Sequence, residues 1–232
     1  MKPVRVLEII SGFAVEGPLG GIERFGIELA QRLDRTQVEP IVYGLWSYEA
    51  PYEERWLRKL RESGIEAFMP AVWSEEAPYR AFVRTVREAR RHLRGQRVDI
   101  IHSHCQFGDV AALLLRRQLG ATALVRTVHN EREWGRRPGR RLLLTNLLFP
   151  IVFDAELAVS QKVVDNLQGR PLSRLLRRPV GMADPRRIAN EVLDLVDRIE
   201  FLTLAGRHRG RSLFDPGHRH LGLDGARRVA GE

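Results

Sequence analysis

VRVLEIISGFAVEGPLGGIERFGIELAQRL, residues 4–33, decides the fold. Its first seven residues are a β-branched and apolar run closed by Ser11 and Gly12, the pattern of a strand buried on both faces. A glycine-containing loop follows over residues 11–21. Ile22, Phe25, Leu29, Ala30 and Leu33 then recur at helical spacing and predict a helix that buries one stripe. Strand, glycine loop and helix in that order are the opening unit of a parallel α/β sheet.

The rest of the chain repeats the alternation. Strands are expected at residues 39–45, 65–69, 98–102, 123–128 and 155–159, with helices at 52–63, 78–93, 110–119, 140–149 and from Gln161 onward. The helix over 78–93 puts Phe82, Val86, Ala89 and Leu93 on one side and a row of arginines on the other, which reads as a solvated face. Right-handed crossovers need a helix between parallel neighbours, so the expectation is a Rossmann-like parallel sheet with helices on both faces over residues 1–169. Ligands of such sheets bind beyond the carboxyl ends of the strands. That selects Ser11 to Gly21, then Ser103 and His104, then His129, Asn130 and Glu131, and finally Ser160. Beyond Gly169 the periodicity weakens, and residues 170–232 read as a linker and an incomplete, poorly ordered C-terminal segment. It holds a helix at 184–200, a short strand at 201–205 and no packed element past Arg207.

Composition narrows the function. With 44% hydrophobic and 29% charged residues the chain can build a core. The net charge of +9 favours anionic partners. Only Lys2, Lys59 and Lys162 are lysines, and neither stacking aromatics in an RNA-binding pattern nor a regular basic stripe occurs, so nucleic acid is not the expected partner. The single cysteine, Cys105, has no disulfide partner within the chain, and the expected location is cytoplasmic. The most apolar stretch, LLLTNLLFPIVF at 142–153, is broken by Thr145, Asn146 and Pro150 and is shorter than the roughly 20 residues of a spanning helix. It reads as a helix buried between two strands. A helix lying on anionic membrane behind Arg140 and Arg141, at the inner face of the cell membrane, is the alternative.

Several residues invite chemistry, each beside a plainer reading. Gly20 and Gly21 precede a helix whose leading amides would face an anion, although a tight turn needs no ligand. Neither a dinucleotide fingerprint nor a Walker motif is present. His102 and His104 should point to the same side of their strand, as a pair of metal ligands would. No motif places a third ligand, so they read as packed histidines and no metal is expected. His129 stands at the mouth of the fifth strand, where a neutral imidazole could hold or transfer a proton. Cys105 reads as inert packing.

Four of these fragments together resemble glycosyltransferase family 4, at the N-terminal domain of its GT-B fold. They are Gly20-Gly21-Ile22-Glu23-Arg24 with Leu29, Ala30 and Leu33; Asp99-Ile100-Ile101-His102-Ser103-His104; Thr127-Val128-His129-Asn130; and DAELAVS at 154–160. The resemblance covers about residues 3–168. It implies a retaining transferase that moves a sugar from a nucleotide-diphosphate donor to a glycan or lipid-linked acceptor, with no further cofactor. Position by position it implies that Gly20 and Gly21 meet the donor diphosphate and that His129 is the catalytic residue beside the reacting sugar. It puts Glu23, Arg24, His104, Asn130 and Ser160 on the acceptor side of the cleft.

The family's linker and second, donor-binding domain have no clear counterpart. RPVGMADP at 178–185 is the nearest to the linker, and FLTLAGR at 201–207 faintly resembles the second domain's opening. Glu191 and Glu200 do not have the spacing of the family's paired glutamates. The expectation is therefore a truncated transferase, inactive alone, or the acceptor- or anion-binding half of a split enzyme that works with a separate donor-binding chain. An unrelated Rossmann-like nucleotide binder is the third alternative.

Overall fold

In the computed structural model, seven parallel strands lie side by side in the order β3-β2-β1-β4-β5-β6-β7. They are β1 (Val4–Ile10), β2 (Val38–Gly44), β3 (Glu66–Phe68), β4 (Ile100–Ser103), β5 (Ala123–Val128), β6 (Ala155–Ala158) and β7 (Val180–Met182). The connecting helices are α1 (Gly21–Arg32), α2 (Glu53–Glu62), α3 (Pro78–His92), α4 (Gln106–Leu119), α7 (Gln161–Gln168) and α8 (Pro171–Leu176). Between β5 and β6 runs a composite helix made of α5 (Pro138–Arg140), a π-helical stretch (Arg141–Leu148) and α6 (Phe149–Val152). The structure describes residues 2–16, 20–131, 133–134, 138–176 and 180–182. The helix expected at 184–200, the strand at 201–205 and the tail beyond Arg207 lie outside them.

Strand alternation divides the core. Leu7, Ile9, Ile41, Tyr43, Ile101 and Leu124 face α3, α4 and α6, meeting Phe82, Val86, Leu115, Leu119, Phe149 and Phe153. Ile10, Val42 and Ala67 face the other way, against Ile27 and Ala30 of α1 and Leu57 and Leu60 of α2. Near the far edge Val128 and Ala158 pack on Val163, Val164 and Leu167 of α7. At about 1.5–3 kcal/mol for each fully buried large aliphatic or aromatic side chain, this two-sided burial is the main force holding the sheet.

Chain order reverses at β1, which pairs with β2 on one side and β4 on the other. The sheet is thus doubly wound, with its switch point between β1 and β4. Two local features depart from expectation. The sheet continues past Gly169, since Val180–Met182 pairs in parallel with β6. The segment expected to be a helix buried between strands buries Thr145, Phe149 and Phe153 but exposes Leu142, Leu143, Leu147 and Ile151. Pro150 explains the change: it has no N–H and its ring crowds the carbonyl four residues back, so the preceding turns widen to π geometry and the apolar rows rotate outward.

Candidate functional site

A cavity of about 290 Å³ opens at the carboxyl ends of the strands around the switch point. Ser11 after β1, Ile22 of α1, Trp46 and Tyr48 after β2, residues 104–107 after β4 and residues 126–130 at the end of β5 all contribute to its wall. A wider groove of about 760 Å³ runs between α3 and α4 beside Arg87, Arg90, Arg91 and Arg94. That groove lies along the helical face, away from the strand ends where such sheets hold ligands.

Gly20 is the N-cap of α1, with φ 59° and ψ −124°, a conformation that side chains of L-residues resist. Among the described residues, nothing lies within 4 Å of a Cβ built at Gly20 or Gly21. Ile22, the next residue, lines the cavity. Glu23 is 1% exposed. Burial pushes its carboxyl up, against bonds from its own backbone N–H and from the Ser11 hydroxyl.

On the α1 side of the sheet a carboxylate joins the two histidines. Glu8 is the register partner of His102 across the β1–β4 ladder. Its Oε2 lies 3.0 Å from His102 Nδ1 and 2.8 Å from His104 Nε2. His102 Nε2 lies 2.8 Å from the Thr127 hydroxyl on β5. Burial raises the Glu8 carboxyl, but the two imidazoles outweigh it and hold it down to about 2. Burial first, then His102, lowers His104 to about 4 despite Glu8. The imidazoles do share one side, as alternation requires. Glu8 is the third group that sequence spacing did not supply, and the three offer ligand atoms within 4.8 Å of one another. Of the two contacts to Glu8, that of His104 is a hydrogen bond, while His102 Nδ1, though close, has no hydrogen-bond partner among the described residues.

His129 stands above this triad. Its ring centroid is 5.9 Å from that of His104 and 5.2 Å from that of Phe25, which meets it edge-on. Burial, then His104 and His102, depress its pKa to about 3, so the imidazole is neutral near pH 7. Its Nε2 is buried without a hydrogen-bond partner among the described residues.

On the α4 side the alternate residues build an ionic cluster. Arg126 of β5 is ringed by Asp109 at 3.4 Å, Glu156 at 3.8 Å and Glu133 in closer contact. Arg170 closes the ring with contacts of 2.8 Å to Glu133 and 3.1 Å to Glu156. The Arg126 guanidinium lies 4.5 Å from the Phe149 ring centre. Burial raises the Asp109 carboxyl to about 7 even beside Arg126. Cys105 caps α4 through its sulfur, 3.3 Å from the Gly108 nitrogen, and burial pushes its thiol up to about 12, out of nucleophilic range.

Of the residues selected from sequence, Ser11, His104, His129 and Asn130 line the cavity; Gly20 and Gly21 do not, although Ile22 next to them does. Glu23 is buried and bonds to the Ser11 hydroxyl and its own backbone N–H, and it does not line the cavity. Arg24 is exposed, and neither it nor Ser160 lines the cavity; the Ser160 hydroxyl caps α7, 3.4 Å from the Val163 nitrogen. Sequence reading missed Glu8, the ionic cluster and the aromatic residues after β2 and β3. A carboxylate inside VRVLEII and an arginine inside ALVRTV were the available signals, since a charge in a two-sided strand needs a partner.

The comparisons agree with this fold. The structure of Anabaena Alr3699/HepE in complex with UDP-glucose is 14% identical, with a TM-score of 0.53 over 77% of this chain and 43% of that one. A glycosyltransferase from Rickettsia africae ESF-5 is 15% identical, with a TM-score of 0.51 over 79% and 43%. At such identities these likenesses show the fold, and this chain spans less than half the length of either structure. No curated protein matches. The family model of Glycosyltransferase Family 4 matches residues 19–176, well over half of the chain, and the chain therefore belongs to that family.

Proposed function

We propose that this chain forms the acceptor-side wall of a glycosyltransferase cleft, across which a sugar passes from a nucleotide-sugar donor to an acceptor. The observation that carries the reading is that Ile22, at the glycine turn, and His129, at the end of β5, border one cavity at the switch point. Gly20 supplies no side-chain acceptor for the leading amides of α1, and the positive end of the helix dipole favours a phosphate there. His129, held neutral and with Nε2 free of protein partners among the described residues, suits a hydrogen bond to a sugar hydroxyl better than a cationic role. Departure of a nucleoside diphosphate also calls for positive charge and exclusion of water, which a second, donor-binding domain would supply, in the same or a separate chain. Retention of the anomeric configuration belongs to this proposal as well.

The acceptor is a glycan or a lipid-linked sugar. The exposed Leu142, Leu143 and Leu147 behind Arg140 and Arg141 suit contact with an anionic bilayer, and no helix among the described residues is long and apolar enough to cross one. Incubating the purified chain, with and without a donor-binding domain, with nucleotide sugars and candidate acceptors tests the function, and the anomeric signal of the product tests retention. Transfer that needs both components and falls at least a hundredfold in His129→Ala supports the reading. Undiminished transfer by His129→Ala removes His129 from it.

A further inference from the structure

The cavity has a second wall that the proposed function leaves unused. Trp46 and Tyr48 follow β2, Trp73 follows β3, and Phe107 stands in the first turn of α4. Backbone bonds from Ser47 N to Ala71 O at 2.7 Å and from Trp73 N to Ser47 O at 2.8 Å tie the two loops together. Ring centroids are 4.6 Å apart for Trp46 and Trp73, 5.4 Å for Trp46 and Phe107 and 6.3 Å for Tyr48 and Trp73. Trp46 Nε1 donates to the Tyr48 hydroxyl at 2.6 Å, which leaves that hydroxyl's own proton for another acceptor. The same cavity also has polar lining residues, among them Asn130 and His129, while its carboxylates Asp109 and Glu133 are taken up by Arg126.

Three ligand chemistries compete for such a wall. A terminal phosphate needs uncommitted positive charge, yet Arg126, the one arginine among the described lining residues, is already held by Asp109, Glu133 and Glu156. A flat aromatic ligand needs a slot between parallel rings, but Trp46 is tilted by 48° to Trp73 and by 74° to Phe107. A sugar ring fits the rest of the lining: its C–H face packs on aromatic rings, and its hydroxyl rim bonds to the Asn130 amide, the His129 imidazole and the Tyr48 phenol. The volume, about 290 Å³, is at the small end for small-molecule sites and suits a mono- or disaccharide end.

We propose that the wall formed by Tyr48, Trp73 and Phe107, with Trp46 buried behind them, is a saccharide subsite, so that the acceptor ends in a sugar ring stacked there and not in a bare phosphate or an aromatic hydroxyl. Calling this ligand the acceptor rests on the proposed function; the subsite itself rests on the geometry of the wall.

The test is titration of the full chain, followed by tryptophan emission and saturation-transfer NMR, with a panel of methyl glycosides and disaccharides, with inorganic phosphate and with a flavonoid. At least one saccharide should change the emission and show saturation on its ring C–H protons. Trp73→Ala should weaken that binding tenfold or more, Trp73→Tyr should restore most of it, and Tyr48→Phe, which keeps the ring, should weaken it severalfold. Three results overturn the subsite: no saccharide of the panel binding, affinity unchanged in Trp73→Ala with the circular dichroism intact, or phosphate or the flavonoid competing for the wall in place of sugars. A transfer assay on the same preparation separates the two proposals. Saccharide binding without transfer from any nucleotide sugar, donor domain included, leaves the subsite and removes the transferase reading. Transfer onto a non-sugar acceptor does the reverse.

Discussion

Glu8, His104 and His129 tie stability to pH at the level of single residues. His104 and His129 have folded pKa values near 4 and 3 against 6.5 unperturbed, so between about pH 6.5 and 4 the unfolded chain takes up protons that the folded chain refuses. Their contribution is lost as pH falls through that window. Glu8, near 2 in the fold against 4.5, adds a further loss below about pH 4.5. Asp109 acts in the opposite sense: raised from 3.8 to about 7, it keeps a proton that the unfolded chain releases, so its contribution is lost as pH rises through that range. The melting temperature should therefore fall on acidification from pH 6.5, more steeply below 4.5, and Asp109→Asn should steepen the upper part. A melting temperature flat from pH 7 to 4 would contradict this assignment. Arg126→Met should cost about 3–5 kcal/mol in urea unfolding, because Asp109, Glu133 and Glu156 would lose a buried partner. A loss below about 1 kcal/mol would show that Arg170 can carry the cluster alone. The shared direction of His102 and His104 was legible, because alternation is local. Their contact with Glu8 was not, because it depends on β1 lying beside β4, 94 positions along the chain from Glu8 to His102.

Among the elements, α1 shows how closely a helix can sit on the sheet. A Cβ at Gly26 would lie 2.6 Å from Ile10 Cγ2 and 3.3 Å from His104 Cδ2. Gly26→Ala should thus destabilise by about 1–3 kcal/mol through overpacking, outweighing the gain of about 1 kcal/mol that alanine brings to a helix. Chemical denaturation checks the sign, and a stabilised variant would mean that α1 can slide away from β1. The helices over 52–63 and 78–93 and their buried stripes were readable because 3.6-residue periodicity survives in them. The segment before β6 was legible as a helix, but its exposed row was not, because π geometry breaks that period ahead of Pro150, and β7 escaped because three residues of VGM carry no alternation. The exposed row that results makes its own prediction. The chain should co-sediment with vesicles rich in anionic lipid, and Leu142→Glu together with Leu143→Glu should abolish this; unchanged sedimentation would assign the row to another role.

For the molecule as a whole, repeated alternation made the parallel sheet legible, and family-ordered motifs pointed to the strand ends. The cavity's lining stayed hidden because it gathers single residues from α4, from β5 and from the loops after β2 and β3, which no local pattern links. The claim on which the account turns is that the glycine turn and His129 serve one bound donor. Gly21→Asp should weaken that binding by placing a carboxylate where the helix end meets the diphosphate. The most direct measurement is an NMR titration of the labelled chain with nucleotide sugars, following the amides of Gly20 to Ile22 and the imidazole of His129. Both groups should shift along a single binding curve, and Gly21→Asp should weaken it at least tenfold. Shifts confined to one group, or to the arginine groove between α3 and α4, would contradict that claim.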